Sequence, residues 1–307
     1  MHVPNLILHQ IDSPQLWHGN TLEDIATYDG LFTNPPAVFD VILTNPPFGG
    51  KEGKNVKDKY GTGATQICFL QHVQKSLKNG GQCAIVMDEG VLFRTNESGF
   101  VDTKRRLLTD CNLWCIVSLS GGVFSSAGAG VKTNVLFFTK GKATEKIWYY
   151  DLSGVKVGKR TPLTLEHFND FFALLPSRGD SLNSWTIDFK QRKQDAEQQA
   201  LPLDQLAAEK RQQVMSLKEK AKECRKDKAA DTESQERELE STISALEKEI
   251  NELEGKAKTI RNAIYDLKAV NPNIKEVIDN RTPNDLINFI EVQSHDVMRL
   301  LGELKAR

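Results

Sequence analysis

Phe39-Asp40-Val41-Ile42-Leu43-Thr44-Asn45-Pro46-Pro47-Phe48 is the stretch on which the reading of this chain turns. Its first part is a short apolar, β-branched run, the pattern of a buried strand. The run stops at Asn45, and two prolines and an aromatic follow. Proline fixes φ and has no N–H, so the corner is stiff and presents carbonyl oxygens. Such a corner suits a planar amino group. The lone pair of an exocyclic amine is delocalised into its ring, and hydrogen bonds accepted from both N–H groups concentrate charge back on nitrogen. Asn45 offers a side-chain oxygen, Pro46 a backbone carbonyl and Phe48 a flat face, with Pro47 between them in the rigid turn. An ordinary strand-ending turn is the alternative, because Asn-Pro and Pro-Pro are common loop punctuation. Asn34-Pro35-Pro36 shows the contrast: no aromatic follows it and no apolar run precedes it, so it reads as loop.

Downstream, Gly80-Gly81-Gln82-Cys83-Ala84-Ile85-Val86-Met87 and Leu113-Trp114-Cys115-Ile116-Val117-Ser118-Leu119 read as two more buried strands. Thr103 to Asp110 between them reads as a helix that opens with Lys104, Arg105 and Arg106. Gly121-Gly122-Val123-Phe124 reads as a turn before a last strand within Gly130-Val131-Lys132-Thr133-Asn134-Val135-Leu136-Phe137-Phe138. By its own pattern Phe124 reads as a core phenylalanine. The aromatics of Lys146-Ile147-Trp148-Tyr149-Tyr150-Asp151 read as core. The stretch from Lys51 to Lys59 carries Lys51, Lys54, Lys57 and Lys59 against Glu52 and Asp58. It reads as a loop whose positive excess either meets phosphates or is simply solvated.

Taken together, these stretches resemble the S-adenosylmethionine-dependent amino-methyltransferases, in particular the DNA adenine-N6 group and the modification (M) subunit of type I restriction-modification systems. Gly121 to Phe124 followed by Val131-Lys132-Thr133 is the most specific part of the match. The likeness covers residues 1 to about 190. It implies an α/β fold, a partial Rossmann-like methyltransferase sheet with its first strands missing, followed by a helical, coiled-coil-like C-terminal region. It also implies roles. Asn45, Pro46, Pro47 and Phe48 would form the catalytic corner, and Phe48 and Phe124 would stack on an adenine flipped out of the duplex. Asn20, in Leu16-Trp17-His18-Gly19-Asn20-Thr21-Leu22, would bind the cofactor's adenine ring. Lys51, Lys54, Lys57 and Lys132 are candidates for DNA contact. The reaction would be an in-line methyl shift from sulfonium to the adenine amine, without a metal or a covalent intermediate. Implied partners are DNA, a specificity subunit that reads the sequence, a second M subunit and a restriction subunit. Two other readings stand beside this one: a non-catalytic remnant that assembles through its helices, and an amino-methyltransferase for RNA or protein.

The family opens its sheet with a strand leading into a Gly-rich cofactor turn, then a strand ending in an acidic residue for the ribose hydroxyls. Neither is legible here. Met1 to Asp12 resembles a helix and turn that the family places after both, and Gly61-Thr62-Gly63 falls after the catalytic corner. The expectation is therefore a fragment whose Phe39–Thr44 strand shows an unpaired apolar edge.

Composition shifts between Ser184 and Lys193, giving an expected boundary between a catalytic part at 1–190 and a helical part at 191–307. From Asp204 to Lys268 the chain is proline-free and highly charged. Leu239, Ile243, Leu246, Ile250, Leu253, Ala257, Ile260, Ile264 and Leu267 step alternately by four and three, a heptad seam. At 1.5 Å per residue that helix is roughly 40 Å long. A weaker line (Leu206, Val214, Leu217, Ala221, Cys224) precedes it, with a polar turn at Asp227 to Gln235. The seam closes either on that line, as an antiparallel hairpin, or on a partner's helix, which the resemblance favours. A last amphipathic helix is predicted from Pro283 to Lys305.

The charges nearly cancel, with 40 Lys and Arg against 41 Asp and Glu in 307 residues. A lone DNA binder usually shows a basic excess; this balance suits a catalytic subunit whose partner reads the sequence. The five cysteines form no Cys-x-x-Cys pair, so neither a zinc site nor a disulfide framework is expected. That usage, with no signal peptide and no membrane-length apolar run, fits a cytoplasmic protein.

Overall fold

The computed structural model describes residues 6–11, 17–23, 29–30, 36–124, 130–158, 160–226, 232–273 and 282–305. Asn34-Pro35, the polar turn from Asp227 and much of Met1 to Asp12 lie outside the described residues. Two short strands, β1 (Trp17–His18) and β2 (Asp29–Gly30), pair antiparallel. The expected strands then follow as β3 (Phe39–Thr44), β4 (Leu77–Asp88), β5 (Cys111–Ser118) and β6 (Thr133–Lys140), joined by β7 (Lys146–Asp151), whose aromatics were read only as core, and β8 (Ser184–Asp188), where the sequence showed only a shift of composition. They build one six-stranded sheet in the order β3-β4-β6-β5-β7-β8. β3 runs parallel to β4, and β6 lies antiparallel between β4 and β5. Among the described residues β3 pairs with β4 alone, and Val41 and Leu43 are 58% and 76% exposed. The apolar run is thus an edge strand, as the sequence led us to expect.

Helices α1 (Lys54–Tyr60), α2 (Thr65–Ser76), α3 (Glu89–Phe93) and α4 (Ser98–Asp110) connect the first strands. The period-two pattern of β4 turns Cys83, Ile85 and Met87 to one face, where α2 covers them with Ile67, Leu70 and Val73, and α4 with Phe100, Val101 and Leu107. Cys115, Val117, Trp148 and Tyr150 form the opposite face with Phe171 of α5 (Asn169–Leu174). Trp148 and Tyr149 are core, and Tyr149 stacks on Trp185 with ring centroids 5.2 Å apart. Gly81 is required where β3 and β4 meet irregularly: a Cβ there would come within 3.1 Å of the carbonyl oxygens of Phe39 and Asp40.

Lys104, placed at the start of a helix by the sequence, sits mid-way along α4 and is only 1% exposed. Its ammonium donates to the carbonyls of Leu92 and Arg94 at 2.7 and 2.8 Å, tying down the end of α3. Burial lowers its pKa to about 8, against which Asp266 works weakly. The unfolded chain therefore holds more protons than the folded one between about pH 8 and 10.5, and this group's contribution to stability rises with pH across that window. Lys104→Met removes the effect. The stability of the wild type relative to the variant should improve by on the order of 3 kcal/mol between pH 7 and 11. Parallel denaturant titrations at both pH values measure this, and a gap that stays constant would contradict it.

The two long helices are α6 (Phe189–Lys226) and α7 (Thr232–Ala263). α6 starts well before Asp204 and runs through Pro202. The helices pair with each other, not with an open face. Ala207 and Val214 meet Ile243 and Ile250, with Leu217, Leu246 and Leu253 alongside. The ion pairs Arg261–Glu197, Arg211–Glu254 and Lys218–Glu247 fix the antiparallel sense. Arg261 also reaches Asp204, and these bonds to the guanidinium hold both carboxyls below their ordinary values. The expected helix to Lys268 ends at Ala263 instead. Ile264, Tyr265 and Leu267 leave the seam and enter the core of the sheet domain. The Leu267 N–H donates to the Leu92 carbonyl at 3.1 Å, and the Tyr149 hydroxyl donates to the Leu267 carbonyl at 3.4 Å.

Contacts divide the chain into Met1–Asn271 and Pro272–Arg307. The second unit holds α8 (Pro283–Lys305), whose first turn is closed reciprocally by Thr282 and Asp285. No helix among the described residues is long and apolar enough to cross a membrane.

Candidate active site

β3 ends with Thr44 opposite Ile85, and β4 runs on to Asp88. Beyond Thr44 the chain leaves the sheet at Asn45 and Pro46. Asn45 and Pro47 are exposed, Pro46 is buried and Phe48 is half-buried. Gly49 and Gly50 then take φ of +70° and +92°, a left-handed reversal that side chains resist. The Glu52 N–H donates to the Gly63 carbonyl at 2.8 Å, which ties the stretch after the corner to the residues just ahead of α2.

The segment expected to be a loop after the corner is largely the helix α1. Val56 and Tyr60, one turn apart, are buried against Leu22 and Cys68, and Gly61 closes the helix in the left-handed conformation. Lys51, Lys54 and Lys57 point outward and are exposed. Lys59 has another use. Its ammonium donates to the carbonyls of Leu22 and Glu23, both at 3.1 Å, and so anchors the turn that carries Asn20. The Asn20 side-chain oxygen accepts the Leu22 N–H at 3.0 Å, which leaves its exposed NH2 to donate outward. Sequence reasoning did not single out Lys59; its spacing from Val56 and Tyr60 on a helix was the available signal.

Phe124 is brought to Phe48 by the turn at Gly121-Gly122-Val123, closed by the Val123 N–H donating to the Ser120 carbonyl at 3.2 Å. The two rings meet edge-to-face with centroids 5.1 Å apart. Gly122 permits the approach, because a Cβ there would be driven into the backbone carbonyl of Val157. Lys132 is placed differently from the other lysines: it forms an ion pair of 2.9 Å with Glu89 at the start of α3. His72 shares a 3.2 Å hydrogen bond with the Tyr60 hydroxyl; burial and then the charges of Lys59 and Lys75 lower its pKa. Burial pushes Cys83 and Cys115 up to about 12, so neither is a ready nucleophile near neutral pH.

An edge strand ending in a proline-fixed corner, two aromatic rings meeting there, and a polar turn anchored to the helix that follows form one candidate site. Known proteins share the frame. The chain is 37% identical over 180 residues to the type I restriction enzyme StySPI methylase subunit of Salmonella potsdam, a match covering 54% of this chain and 33% of that protein. A solved chain described as the structural basis of complex assembly and conformational transition of the type I R-M system superposes with a TM-score of 0.58 at 26% identity. That match covers 98% of this chain and 50% of the other. The type I restriction-modification methyltransferase subunit from Streptococcus thermophilus gives 0.50 at 25% identity, over 61% of this chain and 42% of that one. The chain spans about a third of the length of the curated relatives it matches. The profile of the N-6 DNA methylase family matches residues 1–213, more than half of the chain, and the protein therefore belongs to that family.

Proposed function

We propose that this chain carries the target-amine half of a type I DNA adenine-N6 methyltransferase. The observation that supports this most is the meeting of Phe48 with Phe124 beside the Asn45-Pro46 corner. In this reading the adenine leaves the duplex and stacks on the two rings, whose edge-to-face contact opens to admit it. The Asn45 side-chain oxygen and the Pro46 carbonyl accept the two N–H groups of its amine. That raises the electron density on nitrogen without removing a proton first, and the surplus proton leaves after transfer. Because the prolines fix the corner, its acceptors need no reorganisation during reaction. S-adenosylmethionine, when bound, supplies the methyl group activated by its sulfonium. Asn20 fits its adenine end, since its free NH2 donates to a ring nitrogen while its oxygen holds the turn. Lys51, Lys54 and Lys57 meet phosphates, whereas Lys132 is engaged with Glu89. Sequence choice would come from a specificity subunit, with a second modification subunit and a restriction subunit completing a cytoplasmic assembly. The exposed apolar residues Ile287, Ile290, Val297 and Leu300 of α8 give such partners a surface.

The test is transfer of labelled methyl from S-adenosylmethionine by the chain assembled with its partner subunits, in competition between duplex DNA, RNA and protein. The expected product is N6-methyladenine in DNA, with duplex DNA as the effective competitor. Methyl found on RNA or protein, or no transfer by a soluble assembly, would overturn the reading.

A further inference from the structure

We propose that Gln66, Ser118 and Asn134 enclose an ordered-water site in the core at the end of the sheet that carries the two aromatic rings. The site is independent of the proposed reaction.

Asn134 lies between two strands, in register with Met87 of β4 on one side and Ser118 of β5 on the other. Side chains alternate along a strand, so Asn134 shares the face of Leu136 and Phe138, and Ser118 shares that of Ile116. All of these point toward the core covered by α2 and α4. Gln66 comes down from α2 onto the same place. Its side-chain oxygen accepts the Asp88 N–H at 3.2 Å, next to Met87, which leaves its NH2 over the ends of the strands.

The three side chains are 3%, 1% and 0% exposed, and among the described residues four of their atoms have no protein partner. These are Nε2 of Gln66, Oγ of Ser118, and both Nδ2 and Oδ1 of Asn134. Folded proteins rarely leave buried polar atoms unmet, and a cluster of them on one face is rarer still. The chemistry identifies the occupant. Gln66 offers donors only, Asn134 a donor and an acceptor, and Ser118 either, which is what a water molecule needs from three neighbours. A direct bond between Ser118 and Asn134 would satisfy one amide atom and leave the other unmet.

The placement gives the water a role. Gln66 lies near the start of α2, the second helix after the Phe48 corner, and Ser118 is the last residue of β5, the strand that runs toward the turn delivering Phe124. A water bonded to both joins the two segments at their base.

A crystal structure of the full chain with ordered solvent tests this directly. A solvent peak within hydrogen-bonding distance of at least two of the three side chains is expected. A direct Ser118–Asn134 bond over dry space would overturn the proposal. Thermal unfolding tests it by sign. If water is held, Asn134→Leu and Ser118→Ala each lower Tm by several degrees, and together by less than the sum, because either one already breaks the water's hold. If the site is dry, each change removes an unmet polar atom and raises Tm, which would also overturn it. Ser118→Ala is small enough to report alone should Asn134→Leu fail to fold.

Discussion

Asn45→Ala should lower methyl transfer by about two to three orders of magnitude, the usual effect of removing one preorganised polar group at a reacting centre. Asn45 is exposed at the end of an edge strand, so its loss leaves the core intact. The deficit should appear in kcat, with KM for duplex DNA little changed, because the acceptor acts on the amine and not on the phosphates. Initial rates of the assembled enzyme measure both. A variant with an unchanged kcat would remove Asn45 from the chemistry and return the corner to an ordinary turn.

Gly122→Ala comes next in size. The added methyl group has no room against the Val157 carbonyl, and a backbone oxygen cannot swing aside as a side chain can. The turn must open, carrying Phe124 away from Phe48. Destabilisation of about 1–3 kcal/mol is expected from such overpacking, together with loss of the ring contact and of most transfer activity. Gly121→Ala is the control, because nothing lies within 4 Å of its Cβ. Melting curves and aromatic NMR shifts of the two variants provide the comparison; equal behaviour would show that close packing at Gly122 is not what holds the turn.

The first four strands of the sheet were legible in the sequence because they are short apolar runs bounded by Gly, Pro and Asn, and the Asn45-Pro46-Pro47 corner because prolines leave few conformations. What escaped was decided by partners distant in sequence. The segment after Lys51 has a loop's charge content, and only the burial of Val56 and Tyr60 against Leu22 makes it a helix. Lys132 was a candidate for DNA contact, and its ion pair with Glu89 could not be read from the sequence. Lys104 was read only as one of three basic residues opening a helix, yet the carbonyls of Leu92 and Arg94, ahead of that helix, receive it. The heptad seam was read one turn too far, since Ile264 and Leu267 keep its spacing while serving a different core. The turn with Asn20 carried only a Gly-Asn signal, and the cation that fixes it comes from α1.

The return of Ile264 to Leu267 into the sheet domain bears on the order in which the chain folds. The ribosome delivers the strands first, but their core lacks Tyr265 and Leu267 until the whole helical excursion has been made. A hairpin of two adjacent helices needs only local contacts and forms quickly. Its antiparallel pairing brings Phe189 and Tyr265 together, with ring centroids 6.4 Å apart. The long segment then behaves as a short bridge, and most of the entropy of closing it is already spent when Leu267 reaches its place. The hairpin thus acts as a folding clamp that finishes the sheet domain from outside.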